Sequence, residues 1–134
     1  MTAAAEREAV GTILGAWTQT QIEWPNKAFT PPSKAAWLRV TLQSADAAQI
    51  ELGADRVIHR HPGIVLVQVF VPANWGDKTA LDLGESVAAL FRRQRVEFVD
   101  GSIVFRTPAV RSIGVDGAQF QVNVSIPFVR DWLF

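Results

Sequence analysis

His59 and His61 are the two histidines of the chain and stand two residues apart. On a strand, residues i and i+2 project from the same face, as paired metal-ligating imidazoles must. Further ligands would have to come from carboxylates such as Glu51 or Asp55, and no spacing marks them for that task. The plainer reading is a pair of surface histidines near a strand end, beside Arg56 and Arg60.

Nucleophile chemistry lacks its residues. There is no cysteine, no Gly-x-Ser-x-Gly and no phosphate loop ending Gly-Lys-Ser/Thr. Asp77, Asp82, Glu85, Glu97 and Asp100 fall in turns or on an interleaved helix face, where they read as caps and solvated charges. The sequence therefore predicts neither an enzyme nor a cofactor. Arg92, Arg93 and Arg95 close a helical stretch, where cations favour the negative end of the helix. Their other reading is a basic patch facing a nucleic acid or an acidic protein rim. A formal net charge of zero favours helix capping and argues against specific nucleic-acid binding.

The aromatics stand out more. Trp24, Phe29, Trp37, Trp75, Trp132 and Phe134 fall at strand ends, in loops or at the terminus, outside the regular apolar faces. Exposed Trp and Phe anchor protein interfaces. For Trp24 and Phe29 the alternative is that a proline loop folds back and buries them. For Trp132 to Phe134, which the sequence places beyond the last strand, an interface is the expectation.

The elements that position these residues follow from periodicity. Residues 63–72, GIVLVQVFVP, are apolar except for Gln68 and read as a central strand, opened by Gly63 and closed by Pro72. From Asp77 to Arg95, Leu83, Val87, Leu90 and Phe91 recur on one helical face. An earlier helix spans Thr2 to about Gln19, with Val10, Ile13, Leu14 and Trp17 as its apolar stripe and Glu6 and Glu8 near its positive end.

Short strands are expected at Gln21–Trp24, Trp37–Gln43, Gln49–Leu52 and Arg56–His61, with turns at residues 44–47 and at Gly53-Ala54-Asp55. The Trp24–Pro32 stretch is stiffened by its prolines. Asp100-Gly101 and Asp116-Gly117 signal two hairpins, and Pro127 should end the last strand. The order gives an α+β class: a largely antiparallel or mixed β-sheet with two helices packed on one face.

At 134 residues the chain has the size of one domain, read as 1–134 without a linker. The absence of cysteine fits a reducing compartment, and the amino terminus lacks the basic start and apolar run of a signal peptide. The longest apolar run is too short to span a bilayer.

Trp24-Pro25-Asn26 with Phe29 and Pro31-Pro32, then Trp37-Leu38-Arg39-Val40, then Gly63 before a Gln-Val-containing strand, resembles the tail terminator-like proteins of long-tailed bacteriophages and prophages. Gly76 before a helix ending in Phe91, and Gly117-x-x-Phe120-Gln121 running into Ser125-Ile126-Pro127-Phe128, continue the resemblance. It covers about Gln21 to Phe128. It implies a structural virion protein that forms a homohexameric ring on the tail tube, ends polymerisation and meets head-completion proteins, found in the virion tail and in host cytoplasm during assembly. Its partners would be itself, the tube protein and a head-completion protein, with no membrane.

The interface candidates are Trp24, Pro25, Asn26, Phe29, Trp75, Arg92, Arg93, Trp132, Leu133 and Phe134. The Trp24–Pro32 loop and residues 131–134 could form opposite halves of one head-to-tail contact. In that case truncation after Phe128 should abolish assembly and leave the fold intact. Rival readings are another neck or connector component, and a small-molecule or peptide-binding module with a pocket between helix and sheet.

Overall fold

The computed structural model describes residues 2–45, 48–51 and 57–133. Two long strands form its spine: β4 (Val57–Pro72) and β8 (Gln119–Leu133). They pair antiparallel along almost their whole length, from Ile58 opposite Leu133 to Pro72 opposite Gln119. Two shorter strands follow end to end on each outer side. β2 (Trp37–Ser44) and β3 (Ala48–Glu51) pair with β4, while β7 (Ala109–Asp116) and β6 (Gly101–Phe105) pair with β8. β1 (Gln21–Glu23) and β5 (Arg95–Phe98) complete a curled sheet of eight strands among the described residues.

Two helices lie on one face: α1 (Ala3–Leu14) and α2 (Asp77–Phe91). β1 and β2 form the one parallel pair among the described residues. Residues 24–36, the proline-rich stretch, supply the long crossover that a parallel pair needs.

The class is α+β, as the segregated pattern predicts. Alternation places Val65, Val67, Val69 and Val71 of β4 and Val122, Val124, Ile126 and Phe128 of β8 under the helices, all buried. Ala9, Val10, Ile13 and Leu14 of α1, with Trp17 just beyond it, and Ala80, Val87, Ala88 and Phe91 of α2 close over them. Burying a side chain of this kind contributes about 1.5–3 kcal/mol. Gly84 lets α2 approach the sheet, since a Cβ there would stand 3.2 Å from Val110 and from Val122.

Several boundaries differ from the sequence reading. β4 runs through Gly63 and Pro62, so Gly63 does not open it and residues 57–61 are no separate strand. The Pro62 carbonyl accepts the Ala45 N–H at 2.9 Å, so its nitrogen faces the side where β2 gives way to β3, a place where a strand tolerates proline. β8 likewise runs through Pro127, whose carbonyl accepts the Arg106 N–H at 2.8 Å beside the junction of β7 and β6. Trp132 and Leu133 therefore lie inside the last strand rather than beyond it. Truncation after Phe128 would remove part of the spine, and so would not leave the fold intact.

α1 stops at Leu14, ahead of Gly15, rather than near Gln19. The first hairpin turns at Val99-Asp100, and Gly101 is in β6, where a Cβ would meet the Asp131 carbonyl oxygen at 2.1 Å. Gly117, at φ +62, does turn the second hairpin. Residues 46–47 and 52–56 and Phe134 lie outside the described residues, and with them the Gly53-Ala54-Asp55 turn.

Candidate functional site

The helix-free face of the sheet carries a second apolar cluster. Trp37, which the alternation of β2 points away from the main core, is 2% exposed and stacks on Phe70 with ring centroids 4.3 Å apart. Phe29 folds over it from the proline-rich loop at 5.4 Å. The Arg39 guanidinium lies 5.4 Å from the Trp37 ring and 5.2 Å from Phe70, while its Nε donates to Glu23 at 3.3 Å. Trp37 Nε1–H has no acceptor among the described residues, so ring contacts alone hold this indole. Trp24 is half buried and capped by Arg7 of α1, 3.7 Å from its ring centroid.

The Trp24–Phe29 candidates thus divide. Trp24 and Phe29 are engaged within the chain. Pro25 and Asn26 remain exposed, Asn26 at φ +54, and with Trp24 and Arg39 they line a shallow groove of about 380 Å3.

At the far end of the spine Trp132 stands opposite His59 and stacks on it at 5.3 Å and on His61 at 4.8 Å, with Arg130 4.6 Å from its ring. The two histidines do share a face, against an indole. No group of three or more His, Cys, Asp or Glu among the described residues could hold a metal. Asp55 lies outside the described residues. On the opposite face Arg60 makes two hydrogen bonds to Asp131, at 2.8 and 3.0 Å, and those bonds raise the guanidinium pKa above its ordinary value. Leu133 closes β8 against Ile58, and Phe134 is outside the described residues.

Sequence reasoning missed the ion pair that joins α1 to this end. Glu6, read from the sequence only as an acid near the positive end of the helix, is 3% exposed and accepts from Arg130 Nε at 2.7 Å and from Ser44 Oγ at 2.7 Å. Arg130 itself is 4% exposed. The clue was the apolar spacing of α1: Ala5, Ala9 and Ile13 put Glu6 at the edge of the buried stripe.

Trp75 is exposed. It sits between β4 and α2, 49% exposed, on the rim of a groove of about 590 Å3 lined also by Pro32, Ala36, Thr79 and Leu83. Beyond the other end of α2, Arg92 donates to Glu85 at 3.2 Å, and Arg93 adopts φ +58. Arg92, Arg93 and Arg106 surround a recess of about 320 Å3 reaching Val104 and Phe105. Of the ten candidates, Trp75 and the Arg92-Arg93 pair lie at opposite ends of α2, Pro25 and Asn26 are exposed in the loop after β1, and Trp132 lies at the far end of the spine. No helix among the described residues is long and apolar enough to cross a membrane.

The family model described as phage tail terminator protein matches residues 5–128. One solved structure superposes with a TM-score of 0.73, covering 97% of this chain and 96% of the other at 20% identity, a likeness of fold. No curated protein sequence matches.

Proposed function

This chain belongs to the phage tail terminator family, and on that premise we propose that it caps the tail tube as a sixfold ring of identical subunits. The ring ends tube polymerisation and presents the surface on which the head-completion protein joins. The carrying observation is the family match, which takes in both helices and the sheet as far as Phe128. A half-exposed tryptophan at the tip of a rigid helix–sheet layer supports a subunit contact, because such residues lose most surface when a partner covers them. The chain works as a structural part of the tail, with the tube protein as its first partner, and it assembles in the host cytoplasm before entering the virion.

The test is tube growth. Purified tube protein polymerised with this chain should give shorter tubes, each bearing a ring with an open centre at one tip in negative-stain images. Tubes of unchanged length with bare tips would overturn the reading.

A further inference from the structure

The two ends of α2 carry opposite, unanswered charge. At its start Asp77 makes no ion pair among the described residues and follows Trp75 by two positions. The turn between β7 and β8 is tied to the same end by Ala73 N–H donating to the Ala118 carbonyl at 2.8 Å, and it adds Asp116, also unpaired. Lys78 is already taken by Asp82 at 2.7 Å. At the other end Arg93 and Arg106 have no ion pair among the described residues and rim the recess that reaches Val104 and Phe105.

At 1.5 Å per residue the ends of α2 are about 20 Å apart, too far for Asp77 to reach Arg93 of its own chain. Arg93 moreover holds the left-handed conformation that glycine usually supplies just past a helix. A non-glycine residue held in that region costs about 1 kcal/mol, and such residues cluster at functional sites.

We propose that the Trp75–Asp77 end of α2 in one copy docks into the Arg93–Arg106 recess of a second copy, head to tail. The inference rests on the ring reading above and names its contact. Each chain carries both halves, so every acid end meets a basic recess when the contact repeats. The indole lies on guanidinium faces while Asp77 and Asp116 pair with the arginines. Using two different patches, the contact is heterologous and closes into a ring when its rotation divides a full turn. Glu85, bonded to Arg92, places an acid beside the basic patch and disfavours a nucleic-acid backbone there.

The experiment compares the full chain with Asp77→Arg, with Arg93→Asp, and with both together, by native mass spectrometry across concentration and by capping of tubes. Thermal melts confirm that each is folded. Each single reversal should weaken assembly at least about tenfold, as loss of one interfacial charge pair does, and the double reversal should restore it. Single variants that assemble and cap like the parent overturn this contact and leave the ring reading standing. A double variant no better than the singles also overturns it. A parent that neither associates nor caps tubes removes the ring reading, and the contact falls with it. Duplex DNA retained by the parent and lost by Arg93→Asp, with assembly unchanged, would assign the recess to nucleic acid and overturn the proposal.

Discussion

Pro62 and Pro127 stand two rungs apart on the paired strands of the spine, Pro62 opposite Val129 and Pro127 opposite Ile64, and each turns its nitrogen toward the point where the outer partner strand changes. β2 gives way to β3 beside Pro62, and β7 gives way to β6 beside Pro127. A residue without an N–H costs a strand nothing at a position where no neighbour waits to accept it. Pro62→Ala and Pro127→Ala should each lower stability by about 1 kcal/mol or less, through the unfolded chain alone. Urea titrations measure this, and a loss of 3 kcal/mol or more would mean that the prolines hold the spine by another means.

The same pair explains what was legible in the sequence. The hydrophobic alternation of residues 119–126, the apolar run of 64–71 and the 3.6-residue face of α2 were readable because each depends on neighbours in sequence. The stopping rule for proline held at Pro72 but misplaced the end of β8 at Pro127, because whether an N–H is missed depends on which strands lie alongside. Glu6 failed for a related reason. Its partner is 124 positions away, and only the fold brings Arg130 to it. Of the candidate site, Trp75 was legible as an aromatic after a strand-ending Pro72, whereas Trp24 was claimed by Arg7, a pairing that no local pattern marks.

Gly63 stands opposite Phe128 on the paired strands. A Cβ at Gly63 would stand 2.4 Å from Phe128 Cζ and 2.7 Å from the Gln43 carbonyl oxygen, and the ring, 1% exposed, has nowhere to move. Gly63→Ala should therefore destabilise the fold by about 1–3 kcal/mol, the usual cost of overpacking. Adding Phe128→Leu to it should return part of that loss, measured as a double-mutant cycle in urea. Strict additivity of the two losses would refute the steric account.

The Glu6–Arg130 pair should be asymmetric to mutation. Removing one partner leaves a buried charge unpaired, so Glu6→Leu and Arg130→Leu should each cost about 3–5 kcal/mol. Replacing both with leucine should be milder than either alone, since no charge then remains to be solvated. Equal melting temperatures for either single variant and the parent would show that the pair opens to water in solution.

Arg93→Gly separates stability from assembly. At φ +58 glycine carries no steric penalty, so the variant should gain roughly 0.5–1 kcal/mol in chemical denaturation if relief of strain dominates over the added freedom of the unfolded chain. If the guanidinium serves the contact between copies, the same variant should associate less while folding better. Residues retained only for the fold change both measurements in the same direction, so a variant that is more stable and assembles as the parent does would leave the strained arginine without a role at the interface.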